Sequence, residues 1–281
     1  MKRINKNSLP FIILTIIHIG LLLFTLLKRR ERRTITLLLS NISFAYIFEY
    51  FVFNLFRSYQ YNPKILKKRQ LDNALGALLS QAIYVPIAAT FLTVFELGWF
   101  WKLLFTLYFH IIEKFFLKID NYRLHWWKTI YTVLLLPVYF RISDFWEENL
   151  RLKKKPFLWL STYLSVGVVT KTLAFVLDIF KKQKIGVGRF HSWHEHFLIS
   201  PLYMLIFSGA ALLPAIKNNT FVKASVFLLM MFISILLSRI HIINNRLNFV
   251  QVTLQNIFMI YLSPLMKSFI FEKKKAESPY R

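Results

Sequence analysis

The chain has no cysteine, only 7 glycines and 9 prolines among 281 residues, and only 13 acidic side chains against 37 Lys and Arg. Without cysteine it can form neither disulfides nor a cysteine-ligated zinc site. The scarcity of glycine and proline excludes collagen-like and linker-rich chains. What is present is mostly apolar: 56% of the residues are hydrophobic and 17% are aromatic, which excludes intrinsic disorder. This composition predicts an integral membrane protein.

Four uncharged runs support that prediction. Each has about the 20 residues that a helix needs to cross the bilayer core, and none contains Lys, Arg, Asp or Glu. The runs show no alternation of period two, and backbone in lipid must satisfy its own hydrogen bonds, so they predict helices rather than strands. They are Asn7–Leu27, Asn73–Phe95, Phe197–Ile216 and Leu247–Met266.

Five further apolar runs are interrupted by polar residues: Thr34–Phe56, Gly98–Leu117, Trp126–Trp146, Phe157–Phe180 and Phe221–Ser238. The predicted fold class is therefore all-α, a polytopic transmembrane helical bundle of about nine spans in one integral membrane domain, residues 1–281. The alternative is eight spans, with Gly98–Leu117 or Trp126–Trp146 lying at the membrane interface. The first span is expected to remain uncleaved, because no small-residue cleavage site precedes the basic cluster 28–33.

The basic residues lie in short clusters between the apolar runs, at 28–33, 64–69, 151–155, 181–184 and 273–275. Such clusters anchor helices and contact anionic head groups. The expected partner is therefore a lipid bilayer with anionic head groups, with no nucleic acid, in the cell membrane; the sequence identifies no protein partner and no cofactor. Lys and Arg divide 18 to 18 between the two predicted sides, so orientation stays open, with a slight preference for a cytoplasmic 28–33 loop.

Two segments repeat a pattern at an offset of 65 to 66 residues, an acid followed by K-I-x-x-x-R-apolar-H-x-W. Its rarer members are Arg123, His125 and Trp127 in one copy and Arg189, His191 and Trp193 in the other. Two predicted spans separate the copies, so a true repeat would be a parallel duplication, with units 98–146 and 163–216 and both motifs on one membrane face. We expect each motif to begin a span. Three explanations of the repeated pattern remain open: coincidence, anchoring of the helices at the membrane interface, and a polar site where the two copies meet.

Ionisable groups inside predicted spans are costly and mark candidate sites. These are Glu49, Glu113, Lys171 and Asp178. Lys171 and Asp178 are seven residues apart and share a helix face, and Glu49 could pair with Lys171 to suit ion or substrate passage. Snorkelling is the alternative for Lys171, and protonation or a hydrogen bond to a neighbouring helix is the alternative for Glu49.

Histidine offers a second line of interpretation. His191, His194 and Glu195 could ligate a metal, although a polar interfacial turn explains the same segment. Phe190-x-x-x-His194 and His241-x-x-x-Asn245 also resemble two motifs of intramembrane metalloproteases that process prenylated proteins. The resemblance would imply a metal-dependent hydrolase using His194, His241 and Glu147 or Glu148. The third motif of that family does not fit, because Arg151 follows the Glu pair one residue too early.

Residues 46–160 resemble a family of small, uncharacterised multi-pass membrane proteins of endospore-forming bacteria. The resemblance is carried by Asn62-Pro63-Lys64, Val85-Pro86, Ile111–Glu113, Trp126-Trp127 and Lys155-Pro156. It implies a bacterial cell-membrane protein and no catalytic residues. We therefore expect a non-enzymatic role, as a transporter-like, sensing or scaffolding protein, with the metal-dependent hydrolase as the first alternative and a pure interaction subunit as the second.

Overall fold

The computed structural model describes residues 5–180, 192–242 and 249–271, with side chains from residue 252 onward in the last range. It is 82% helical. The helices are α1 (Ser8–Lys28), α2 (Arg32–Glu49), α3 (Arg69–Leu78), α4 (Val85–Val94), α5 (Trp99–Lys118), α6 (Thr129–Arg151), α7 (Lys155–Phe180), α8 (Trp193–Ala210), α9 (Leu212–Ile216), α10 (Thr220–Arg239) and α11 (Phe249–Ile270). Two short strands are β1 (Tyr59–Tyr61) and β2 (Tyr122–Leu124).

Six helical segments of the described chain are long and apolar enough to cross a membrane: Ser8–Lys28, Arg32–Leu55, Arg69–Val94, Lys155–Phe180, Trp193–Ile216 and Thr220–Arg239. This confirms a helical fold with almost no sheet and is consistent with a membrane protein. The helices α5, α6 and α11 lie where three more spans were predicted, but charged or amide side chains interrupt them. The count of nine spans therefore stays a prediction.

The outward surface of these helices is apolar. Ile16 of α1 is 66% exposed, and Leu228 and Phe232 of α10 are 65% and 64% exposed. Polar side chains such as Asn41 and Ser161 are buried instead. An aqueous solvent would favour the opposite distribution, so this surface fits lipid.

Two wide π-helical turns interrupt the predicted spans. One, Tyr50–Leu55, continues α2, and the other, Leu79–Tyr84, joins α3 to α4. Pro86 follows the second turn; its ring would clash with the carbonyl four residues earlier in a regular helix, and it has no N–H to donate. Such turns are frequent at functional sites, and these two bring Glu49 and Gln81 to the same cavity.

The strands join parts of the chain that are far apart in sequence. They pair antiparallel, with Tyr59 opposite Leu124 and Tyr61 opposite Tyr122. The sequence reasoning, which favoured helices throughout, missed this ladder. Asn121 Nδ2 donates to the Asn7 carbonyl at 2.9 Å, which ties the ladder to the start of α1. We call this end of the bundle the strand end; successive long helices alternate in direction from it.

The loop after β1 is fixed from α3. The buried Asp72 carboxylate accepts backbone N–H bonds from Lys64, Ile65 and Leu66, each at 2.8 Å. Asn73 Oδ1 accepts from the Tyr61 N–H at 2.7 Å. These bonds satisfy donors that a tight loop leaves free, and they hold β1 against the helices.

Candidate binding cavity

A cavity of about 290 Å³ lies between α1, α2, α5 and α6, and the β1–β2 ladder borders it at the strand end. We call it the aromatic cavity. Its volume suits a small organic molecule. The polar aromatic side chains that line it are Tyr59, Tyr61, Tyr84, Tyr122, Trp127 and Tyr139.

The ladder directs three of these rings inward. Tyr59 and Tyr61 lie two residues apart on β1 and so share a face, and the register places Tyr122 on the same face. The Tyr122 ring centre is 5.1 Å from that of Tyr59 and 5.0 Å from that of Tyr61. Gly76 of α3 packs directly behind Tyr61, since a Cβ at Gly76 would overlap the Tyr61 Cβ.

Three tyrosine hydroxyls of this cavity donate hydrogen bonds to backbone carbonyls or to a carboxylate. Tyr84 donates to the Phe11 carbonyl at 2.8 Å, and Tyr139 donates to the Asn41 carbonyl at 2.7 Å. Tyr59 donates to Glu49 Oε2 at 2.6 Å. With the hydroxyls held in this way, the wall presents ring surfaces to whatever occupies the cavity.

Glu113 is the one side chain with a formal charge among the described residues that line the aromatic cavity. It is 9% exposed; the Thr132 hydroxyl lies beside its carboxylate, but neither oxygen makes a hydrogen bond of regular geometry within the described chain. A buried carboxylate without a partner is unfavourable unless a proton or a cation accompanies it. Glu113 was a predicted candidate, and the structure places it where a ligand could reach it.

A second cavity, of about 100 Å³, adjoins the first. It is lined by Glu49, Gln81 and Lys171 among others, and Gln81 also lines the aromatic cavity. Glu49 is 5% exposed, and its Oε1 has no partner within the described residues. Glu49 thus faces the interior of the bundle and connects the two cavities through Tyr59.

Lys171 and Asp178 both contact α8, as expected of residues on one face of α7. Lys171 Nζ donates to Ser200 Oγ at 3.1 Å, and Asp178 Oδ2 lies 2.9 Å from His196 Nε2. The expected pairing of Glu49 with Lys171 does not form within the described chain: the two residues border one cavity, but no ion pair joins them. The serine hydroxyl of α8 binds the ammonium group instead.

A contrasting set of polar side chains lies away from the strand end, and we call it the polar belt. Asp144 accepts hydrogen bonds from Lys102 Nζ and, at 2.9 Å, from Thr93 Oγ1. Ser143 Oγ accepts from Asn41 Nδ2 at 3.0 Å and lies 2.9 Å from Thr93 Oγ1. The belt joins α2, α4, α5 and α6 through fixed partners.

The first copy of the repeated motif does not begin a helix, which corrects that expectation. Arg123 lies in β2 and binds Asp120, with nitrogen–oxygen distances of 2.6 and 2.7 Å. His125 Nδ1 donates to the Arg57 carbonyl at 2.7 Å, and α6 begins at Thr129. The strand forms because this segment pairs with β1.

Both tryptophans of the motif lie at the strand end of the bundle. Trp127 is buried in the wall of the aromatic cavity, and Trp193 is the first residue of α8. Arg189 and His191 lie outside the described residues. The units 98–146 and 163–216 both run as helix, motif, helix in the same direction; their duplication stays a prediction.

The described residues give no support to the predicted metal site. Within residues 5–180, 192–242 and 249–271, no group of three His, Cys, Asp or Glu side chains is placed to hold a metal ion. Glu147 binds Arg33 at 2.6 Å, at the opposite end of the bundle from the start of α8 and the end of α10. His194, His241 and Glu147 or Glu148 therefore do not converge. Glu195 instead completes the N-terminal cap of α8 with Ser192.

Sequence reasoning missed most of the cavity wall. His18 is 1% exposed, lines the aromatic cavity, and its Nδ1 donates to the Leu14 carbonyl at 2.8 Å. His18 is the one histidine in the uncharged run Asn7–Leu27, and a polar side chain in such a run could have marked it as a candidate site residue. The pattern Tyr59-x-Tyr61 was a second signal, since alternate tyrosines share a strand face.

Comparison of the chain with protein-family models, curated proteins and solved structures finds no match.

Proposed function

We propose that this chain is a multi-pass protein of the bacterial cell membrane, with nine spans, whose aromatic cavity binds a small organic cation. The role is non-enzymatic, either transporter-like or sensing. The observation that carries the proposal is the Glu113 carboxylate, which borders a cavity walled by aromatic rings and has no hydrogen-bond partner among the described residues.

A cation would satisfy both features of the cavity at once. Aromatic ring faces attract ammonium groups, and quaternary ammonium ligands are bound in cages of Tyr and Trp. Here Tyr59, Tyr122 and Trp127 supply adjoining rings, with ring centres 5.1 Å apart for the first two and 5.6 Å for Tyr59 and Trp127. Glu113 supplies the counter-charge. With an uncharged ligand, a proton would have to neutralise that carboxylate instead.

The binding test uses choline and its uncharged isostere, 3,3-dimethylbutan-1-ol, with the detergent-purified protein in a calorimeter. The two probes differ in charge and hardly in shape. We expect choline to bind at least about tenfold more tightly than the alcohol. Equal affinity for the two probes, or no binding of choline, would overturn the cation proposal.

Glu113→Gln keeps the side-chain shape and removes the charge. We expect it to weaken choline binding by about tenfold or more and to leave the weak binding of the alcohol unchanged. The matched control is Glu148→Gln, because Glu148 is exposed on α6 and does not line the cavity. Unaltered choline binding in Glu113→Gln would show that this carboxylate does not hold the cation.

The nine-span arrangement can be tested by cysteine labelling, and the cysteine-free sequence provides a clean background. Single cysteines at Lys128 and Leu152 would flank α6. If α6 crosses the membrane, a membrane-impermeant maleimide will label one of these positions in intact cells and the other only after permeabilisation. Labelling of both from outside would place α6 at the interface and favour eight spans.

A further inference from the structure

A basic groove lies at the end of the bundle opposite the strands, where α2 begins and α6 and α11 end. It has a volume of about 380 Å³, and its cationic side chains are Arg30, Arg32, Arg33, Arg151 and Lys153. The acidic residue in its described lining is Glu31. Positive charge therefore predominates in a concave site rather than on an open surface.

Two carboxylates already neutralise one of these cations. Arg33 binds Glu31 at 2.8 Å and Glu147 at 2.6 Å. Arg30, Arg32, Arg151 and Lys153 make no salt bridge within the described chain. Glu147 also attracts Arg151 electrostatically without an ion-pair contact, but the five cations of the groove outnumber the two carboxylates Glu31 and Glu147.

The other wall of the groove is apolar. Leu158 of α7 and Phe269 and Ile270 of α11 line it, and the Arg32 guanidinium lies 5.6 Å from the centre of the Phe269 ring. A free phosphate ion would use only the cations. A molecule with a phosphate group and acyl chains would use both walls, and head groups lie at the depth of such helix ends.

We propose that the basic groove binds the head group of an anionic phospholipid, with the phosphate between Arg32 and Arg151 and the acyl chains beside Phe269 and Ile270. Arginine forms paired hydrogen bonds to phosphate. This site is separate from the aromatic cavity, and the proposal does not depend on the function of that cavity.

The experiment is native mass spectrometry of the delipidated full chain in detergent, titrated with dioleoylphosphatidylglycerol or dioleoylphosphatidylcholine. We expect the anionic lipid to bind at least about tenfold more tightly than the zwitterionic one. The double variant R32Q/R151Q should lose about tenfold in affinity for phosphatidylglycerol. The charge-matched control K118Q/K128Q removes two exposed cations at the strand end and should change that affinity less than about twofold.

Competition separates the two sources of phosphate. Millimolar inorganic phosphate should leave phosphatidylglycerol binding unchanged, because it cannot use the apolar wall. Displacement by inorganic phosphate would mean that the groove is a general anion site and would overturn the lipid assignment. Equal losses in R32Q/R151Q and K118Q/K128Q would also overturn it. If R32Q/R151Q does not fold, as judged by thermal unfolding, K153Q alone supplies the test, with K118Q as its control.

Discussion

Asp144 and Glu113 are carboxylates on the neighbouring helices α6 and α5, yet their surroundings are opposite. Asp144 accepts from Lys102 and Thr93, whereas both oxygens of Glu113 have no partner among the described residues and border a cavity. A buried charge is tolerated when it is paired and hydrogen-bonded. Asp144 therefore joins helices through fixed partners, and the different surroundings of Glu113 are the basis of the proposed cation site.

The residues around the two carboxylates differ in the same way. Around Asp144, the hydroxyl groups of Thr93 and Ser143 and the amide of Asn41 bond to one another across three helices. Around Glu113, aromatic rings enclose space. The polar belt therefore joins helices, whereas the aromatic cavity leaves unfilled space beside a buried carboxylate.

The largest expected effect comes from breaking the polar belt. Asp144→Ala leaves the Lys102 ammonium buried without its carboxylate, so the free energy of unfolding should fall by about 3 kcal/mol. Unfolding by dodecyl sulfate, followed by circular dichroism, measures this. The double variant Lys102→Met, Asp144→Leu should recover most of the loss, since it removes both charges. A loss as large in the double variant would show that the ion pair is not the cause.

Gly76→Ala should have the next largest effect. Its Cβ would overlap the Tyr61 Cβ, an atom next to the backbone of β1 that cannot move aside without shifting the strand. We expect a loss of about 1–3 kcal/mol in unfolding free energy together with weaker choline binding. Gly20→Ala is the matched control, because no atom lies within 4 Å of the position that its Cβ would take; it should be neutral or stabilising.

Glu113→Gln should change stability by less than about 1 kcal/mol, in either direction, because it removes no hydrogen bond and a neutral amide is less costly to bury than a charge. This is the direct counterpart of Asp144→Ala and uses the same unfolding measurement. A destabilisation as large as that of Asp144→Ala would mean that Glu113 has a structural role, and the contrast between the two carboxylates would fail.

The smallest effect concerns the exposed Asp120–Arg123 pair between α5 and α6. Hydrogen bonding from Arg123 holds the pKa of Asp120 below its usual range. A lowered carboxyl pKa contributes stability above the unfolded-state pKa, and that contribution disappears as the pH falls through the folded pKa. In Arg123→Ala the Asp120 pKa should rise towards its ordinary value, as measured by NMR titration. Stability near neutral pH should hardly change, because the pair is exposed. An unchanged Asp120 pKa would contradict this account.

The positions of many helices were predictable, because the thickness of the bilayer sets the length of an apolar run that can cross it. Asn73–Phe95 and Phe197–Ile216 coincide with helical segments that begin and end within a few residues of them. The π turns were not predictable from hydropathy, since an extra residue per turn leaves composition unchanged. Nor was the ladder, because Tyr59–Tyr61 and Tyr122–Leu124 acquire strand structure only through each other, across a long stretch of intervening chain.

The charged residues of the candidate site could be predicted from the sequence, but the aromatic residues that line it could not. Glu49 and Glu113 could be selected because a carboxylate in a predicted span is rare and costly. The pairing of Lys171 could not be deduced, since Ser200 is one of many hydroxyl groups on other helices. Likewise, Tyr59 and Trp127 are common interfacial residues in sequence, and only the packing of the ladder makes them the wall of a cavity.

The β1–β2 ladder also has a consequence for biogenesis. Tyr122 leaves the ribosome 61 residues after its partner Tyr61, which takes roughly 3 to 12 s at about 5–20 residues per second. During that interval β1 presents an unpaired edge, a template for association with other nascent chains. The emergence of β2 ends this exposure of the β1 edge, and the aromatic cavity is completed only when α6 follows.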